Sequence, residues 1–229
     1  MSVKFRFVCA TRETQQQFAT HTALGRSLAL FPLPFIELRL FPSNSTGLSK
    51  LYNIAVREAA SDPAILVFIH DDVQLLDLFW PIHMLQGLTA FDVIGIAGNK
   101  RRLPWQPTWC HKDLNWNYDE PETYLSGIVA HGSSLPPKNV MFYGPTFQQV
   151  LLLDGVMLIC KSETLLSRNL YFDEAFDFHF YDLDFCRQAE LQKLRLGTWS
   201  ISVLHASEGI VGGPGWRIGY GKYFTKWKS

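Results

Sequence analysis

Ala64-Ile65-Leu66-Val67-Phe68-Ile69-His70-Asp71-Asp72-Val73 decides the fold. Residues 65–69 are continuously apolar, the pattern of a strand covered on both faces within a parallel α/β sheet. Two adjacent acids leave its carboxyl end, the place where open α/β sheets bind their ligands. Hard carboxylate oxygens there suit Mg²⁺ or Mn²⁺ holding a phosphorylated substrate. They suit equally the capping of a following helix, because aspartate is a good N-cap.

Outward from this strand, strand and helix patterns alternate, as in repeated βα units. Upstream, Val3–Ala10 reads as a first strand and Glu13–Leu30 as a helix stopped by Pro32 and Pro34. Phe35–Phe41 alternates with a period of two and reads as a second strand. The turn chemistry of Pro42-Ser-Asn-Ser-Thr-Gly47 leads into a helix carrying Leu48, Leu51, Tyr52, Ala55 and Ala59 on one face. Downstream, a helix spans about Leu76–Leu88 and a fourth strand Phe91–Ala97. Gly98–Pro145, rich in proline and tryptophan, shows no sustained period, which marks a functional loop or lid or a segment of unresolved small strands. Regular structure returns over Phe147–Cys160, with helices near Ser162–Ser167 and Asp182–Leu196, a strand Thr198–Leu204, and a glycine-rich tail from Gly209.

Two further clusters carry candidate chemistry. In Phe180-Tyr-Asp-Leu-Asp-Phe-Cys-Arg187, helical spacing puts Asp182 on a face with Phe185, Cys186 and Ala189. Asp184 falls with Arg187, Gln188 and Arg195. Asp182 is therefore the inward acid, a base candidate that the helix dipole would keep ionised, and Asp184 a solvated, salt-bridged one. Simple capping explains Asp182 as well. His205 ends an apolar strand in Val203-Leu-His-Ala-Ser207. A lone histidine there is commonly structural, but His205, Asp72 and Asp182 would open on one edge of the sheet, and imidazole with carboxylate suits Mn²⁺.

Taken together, the helix spanning Asn44 to Asn53, Phe68-Ile-His-Asp-Asp-Val73, Leu153-Asp-Gly-Val-Met157, Phe172-Asp-Glu174, Tyr181-Asp-Leu-Asp-Phe-Cys186 and His205 resemble, in order, a family 2-type glycosyltransferase of the GT-A fold. The likeness is nearest to the streptomycin-biosynthesis StrF-type branch. The resemblance implies an α/β fold with a mostly parallel twisted sheet, flanking helices and an irregular acceptor-side insertion. It implies one domain over 1–229, with a nucleotide-binding half at 1–97, an irregular segment at 98–146 and an acceptor and catalytic half at 147–229. It implies Mn²⁺ or Mg²⁺ as cofactor and a nucleotide-diphospho-sugar, a UDP-sugar by preference, as donor. Asp72 and His205 would then be metal ligands, and Asp71 would lie beside the ribose or the metal's waters. Thr11, Arg12 and Glu13 would meet the nucleobase or ribose, Asp154 and Gly155 would line the donor sugar, and Asp182 would be the base. His70 stands where the family has the first acid of Asp-x-Asp, and Tyr181 where it has the Glu of Glu-Asp. Transfer would be a single displacement, inverting the anomeric carbon.

The bulk numbers narrow the class. The 229 residues are 47% hydrophobic and 18% charged, as in a globular protein. With 21 basic and 21 acidic residues the net charge is zero, which argues against a generic nucleic-acid binder. Cys9, Cys110, Cys160 and Cys186 are too scattered for a zinc knuckle. The amino-terminal residues lack the apolar core of a signal peptide, and Val150–Cys160 is too short to span a bilayer. The expectation is a cytoplasmic protein, with room for peripheral contact at the inner membrane, whose acceptor is a glycan, a lipid-linked molecule or a small molecule. Lys100, Arg101 and Arg102 fit either phosphate contact or solvation; Trp105, Trp109 and Trp116 fit either sugar stacking or packing. The tail from Gly209 reads as a mobile cover for the donor. Two rivals use the same acids: a metal-dependent phosphohydrolase or nucleotidyltransferase, and a non-catalytic carbohydrate or nucleotide binder.

Overall fold

The computed structural model describes residues 3–207, 209 and 211–228. In chain order these form strand β1 (Phe5–Ala10), helices α1 (Gln15–His21) and α2 (Ala23–Ala29), strand β2 (Ile36–Phe41), helix α3 (Leu48–Glu58) and strand β3 (Ile65–Ile69). Strand β4 (Val73–Leu75), helix α4 (Trp80–Ala90) and strands β5 (Val93–Gly95), β6 (Ala97–Asn99), β7 (Leu125–His131) and β8 (Asn139–Gly144) follow. Then come β9 (Gln149–Val150), β10 (Leu152–Leu153), β11 (Met157–Lys161), α5 (Ser162–Ser167), α6 (Tyr181–Leu191), β12 (Leu196–Thr198), β13 (Val203–His205) and α7 (Pro214–Trp227).

Two sheets result. The first has the order β2-β1-β3-β11-β5-β12-β9, and the second β10-β6-β7-β13-β4 with β8 on the outside of β7. β3 lies between β1 and β11 with all five residues buried, as its unbroken apolar run requires. The first sheet is more mixed than the βα alternation suggests. β1 runs parallel to β2 and β3, and β12 to β5, but β11 is antiparallel to both β3 and β5. The reversal has a cause: β11 enters from the second sheet rather than from a crossover helix.

Aromatic packing fixes α3 and α6 against the carboxyl end of β3. Tyr52 of α3 meets Phe68 at 4.8 Å between ring centroids, Phe68 meets Phe172 at 5.0 Å, and Phe172 stacks on Phe185 of α6 at 4.5 Å. Each fully buried ring of this kind stabilises the fold by roughly 1.5–3 kcal/mol.

Several expected elements are divided or newly formed. The single helix expected over 13–30 is two, because Thr22 adopts an extended conformation between them. Its hydroxyl donates to Phe18 O (2.7 Å) and accepts from Gly25 N–H (2.9 Å), closing α1 and capping α2 at once. The strands expected at 91–97 and 198–204 each split into two three-residue strands in different sheets. The segment 98–145 is not wholly irregular: β7 and β8 pair antiparallel over Gly127–His131 and Asn139–Gly144. The tail is not a loose cover, since Pro214–Trp227 is helical and buries Trp216, Tyr223 and Phe224. Lys226 of that helix pairs with Asp173 (2.7 Å) and Asp184 (2.6 Å). No helix among the described residues is long and apolar enough to cross a membrane.

Candidate active site

The site forms where the chain steps from one sheet to the other. It leaves the first sheet at Ile69 and enters the second at Val73, so His70, Asp71 and Asp72 make the corner. A second step runs from Leu153 to Met157 in the opposite direction and carries Asp154 and Gly155. Because Met157 pairs with Ile69, the two corners are neighbours, joined by a hydrogen bond from His70 N–H to Val156 O (3.2 Å). His205 arrives through register: β13 places it opposite Val73 on β4 and opposite His131 on β7. Backbone pairing therefore brings Asp72 and His205 together across 133 residues of chain.

Helix α6 closes the site from above. Its second residue, Asp182, accepts the Gly155 N–H through Oδ2 (3.0 Å), and its first, Tyr181, donates its hydroxyl to Gly155 O (2.7 Å). The approach demands glycine. A Cβ on residue 155 would stand 2.5 Å from the Tyr181 hydroxyl and 2.9 Å from Asp182 Cβ.

These groups share one cleft of about 390 Å³. His70, Asp71, Asp72, Asp154, Gly155, Asp182 and His205 all line it, so the three side chains expected to converge do so. Thr11 is buried and its side chain favours the ionised form of Asp71, whereas Arg12 is exposed and Glu13 pairs with His21 (3.2 Å); none of these three lines the cleft. Among the described lining residues there is no lysine or arginine. Arg101 instead pairs with Asp119 and lies over Tyr124, Arg102 pairs with Glu190, and Lys100 donates to Glu122 O. The basic triplet thus holds the fold, not a phosphate. Trp109 lines the cleft, while Trp105 packs on Phe224 and Trp116 on Trp216.

The electrostatics divide the acids by role. Burial opposes ionisation of Asp72, but the hydrogen bond and charge of His205, 3.4 Å away, and the charge of His70 outweigh it and hold the carboxyl at about 2. His205 is raised for the reciprocal reason, against its own desolvation. Burial lowers His70. Asp71 is raised by burial and by the neighbouring Asp72 charge, against its Thr11 hydrogen bond. Asp182 is pushed up to about 7 by burial and then by the charge of Asp154. The helix N-terminus does not keep it fully ionised, as the sequence alone suggests; desolvation dominates. Asp184 is likewise not solvated. It is fully buried and held by Lys226, Trp227 Nε1 (2.8 Å) and Gln188 (2.6 Å). The helical spacing places it correctly, but α7, which covers it, has no clear periodic signature.

One donor set fits a divalent cation. His70, Asp72 and His205 each offer a ligand atom, all within 4.8 Å of one another. Asp72 Oδ1 is buried with no hydrogen-bond partner among the described residues. A buried carboxylate oxygen left without a partner is costly, and a cation would satisfy it. His70 is the member that sequence reasoning missed. Its position two residues before Asp72 was the available signal; that burial favours its neutral ring is seen only in the fold.

Comparison with known proteins gives the fold. No protein-family model matches the chain, and no curated protein matches it. Among solved structures it is similar to S. aureus TarS 1–349, a GT-A glycosyltransferase, at 15% identity and a TM-score of 0.52, over 89% of this chain and 60% of that one. It is similar also to TarS 1–349 in complex with UDP, at 14% identity and a TM-score of 0.51, over 90% and 61%. The chain has the GT-A fold. It spans about three fifths of the length of TarS 1–349.

Proposed function

We propose that the protein transfers a sugar from a nucleotide-diphosphate donor to an acceptor hydroxyl. The observation that carries this reading is the meeting, in one cleft, of the His70, Asp72 and His205 cluster with the part-buried carboxylate of Asp182. The GT-A scaffold supports it. Within that scaffold, the motifs around His70 and Tyr181 resemble the StrF-type branch.

Asp182 is the group placed to take the acceptor proton. With its carboxyl at about 7 it is substantially ionised at neutral pH and still basic enough to accept. The Gly155 N–H holds Oδ2 in place. A divalent cation held by His70, Asp72 and His205, manganese better than magnesium because two ligands are imidazole, would offset the charge growing on the departing diphosphate. The chain supplies no lysine or arginine from the described cleft wall for that purpose, which makes the cation the main counter-charge. Asp71, next to the Thr11 side chain that favours its charge, is assigned to the nucleoside side, with Arg12 and Glu13 further out. Asp154 and Gly155 border the donor sugar. Trp109, Tyr118, Tyr143 and Trp216 also line the cleft and give it aromatic surface suited to the apolar face of an acceptor sugar. A single base implies single displacement with inversion. The acceptor is a glycan, lipid-linked or small-molecule hydroxyl reached from the cytoplasm, with peripheral contact at the inner membrane for a lipid-linked one.

Incubation with UDP-sugars and Mn²⁺, with and without candidate acceptors, tests the reading by following nucleoside diphosphate release. Acceptor-stimulated release that Asp182→Asn abolishes is expected. Release of nucleotide without any sugar transferred would favour the phosphohydrolase, and binding without turnover the non-catalytic module.

A further inference from the structure

The two places where this chain departs from the family pattern, His70 and Tyr181, touch each other. His70 Nε2 lies 2.9 Å from the Tyr181 hydroxyl, and that hydroxyl lies 2.7 Å from Gly155 O. A phenol has one proton, and a carbonyl oxygen can only accept. The Tyr181 proton therefore goes to Gly155 O, and toward His70 the hydroxyl can only accept. His70 must then carry its proton on Nε2, which leaves Nδ1 as the one ring nitrogen with a free lone pair. A hydrogen bond to one ring nitrogen that fixes the tautomer and presents the other is how ligating histidines are ordinarily held.

We propose that Tyr181 is a positioning residue that fixes the tautomer of His70, making His70 a nitrogen ligand and biasing the site toward Mn²⁺ over Mg²⁺. The two departures from the pattern the chain resembles then act together: an imidazole stands at the position of the first acid, and a phenol at the position of the Glu orients it. Tyr181 is well suited to this. Its ring is buried against Tyr52 (5.8 Å between centroids) and Phe172 (6.1 Å), and its hydroxyl is anchored on the backbone of the neighbouring corner. His70 is steadied from the other side by Phe178, stacked at 5.9 Å.

The inference rests on the reading that the cleft takes a cation, and the test separates the two. Free Mn²⁺ is titrated by electron paramagnetic resonance against the wild type, His70→Ala, Tyr181→Phe and the double variant. Long-range ¹H–¹⁵N NMR of the metal-free protein reports the His70 tautomer. Tyr181→Phe keeps the packed ring, and His70→Ala tests the ligand assignment. The expected results are Nε2–H at His70 in the wild type, loss of that single tautomer in Tyr181→Phe, and Mn²⁺ binding weakened roughly 10–100-fold. Tyr181→Phe should add nothing once His70 is alanine. His70→Asp, which restores an all-oxygen Asp-x-Asp, should narrow the preference for Mn²⁺ over Mg²⁺. Unchanged tautomer and affinity in Tyr181→Phe would overturn the inference while leaving the cation site standing. A wild type that binds no Mn²⁺ would overturn both.

Discussion

Asp182→Asn should make the protein more stable at pH 8 while removing its turnover. In the folded chain the Asp182 carboxyl stands at about 7, against an ordinary value of 3.8, because burial and then Asp154 oppose its charge. Below about pH 4 both folded and unfolded chains hold the proton, and the group contributes nothing. Between about 4 and 7 the unfolded chain releases the proton while the folded chain keeps it, so stability falls as pH rises. Above 7 the penalty is complete. Roughly three pH units at 1.36 kcal/mol each set it at about 4 kcal/mol, an upper value for a part-buried group. Asparagine carries no charge and its carbonyl oxygen can still accept from Gly155 N–H, so it relieves the penalty and keeps the contact. Urea denaturation of wild type and variant at pH 5, 6.5 and 8 checks this. The variant's advantage should grow by a few kcal/mol from pH 5 to pH 8. An advantage that is absent or independent of pH would refute the claim that desolvation tunes this carboxylate.

In the proposed mechanism the same acid sets the rate. Donor turnover, as kcat/KM, should rise with pH through a midpoint near 7, because the base must be ionised, and Asp154→Asn should move that midpoint down by roughly one unit by removing the neighbouring charge. Gly155→Ala should destabilise the fold by about 1–3 kcal/mol and cut turnover at least roughly tenfold, since its Cβ forces Tyr181 and Asp182 away; thermal unfolding and initial rates measure both. Lys226→Ala should cost roughly 3 kcal/mol in denaturant titrations, because it strips the counter-charge from Asp184, which is fully buried and keeps only Trp227 and Gln188.

Much of the first sheet is legible because its signals are local. The unbroken run Ile65–Ile69 and the period-two alternation before Phe41 are confirmed as strands almost to the residue. The α3 face from Leu48 is equally plain. The second sheet is not, since β4, β6 and β13 are three residues each, too short for a period to register, and their partners are distant in sequence. Helix α7 hides behind three glycines, Gly215, Gly219 and Gly221, that break its apolar stripe. At the site, Asp72, Asp182 and His205 could be chosen by their positions at strand and helix ends, and the cleft unites them. His70 as a third donor is fainter, because only its place two residues before Asp72 marks it, and its contact with Tyr181, 111 residues away, is tertiary. The pairing of Asp184 with Lys226 was hidden for the same reason: it is tertiary, and helical spacing alone cannot distinguish a buried acid from a solvated one.

Anomalous diffraction from crystals soaked with Mn²⁺ and UDP tests the central claim most directly. The account predicts one manganese peak in coordination with Asp72 Oδ1 and His205, and a diphosphate beside it in the cleft that Asp182 borders. A nucleotide bound elsewhere, or no manganese between Asp72 and His205 when the nucleotide is present, would contradict it.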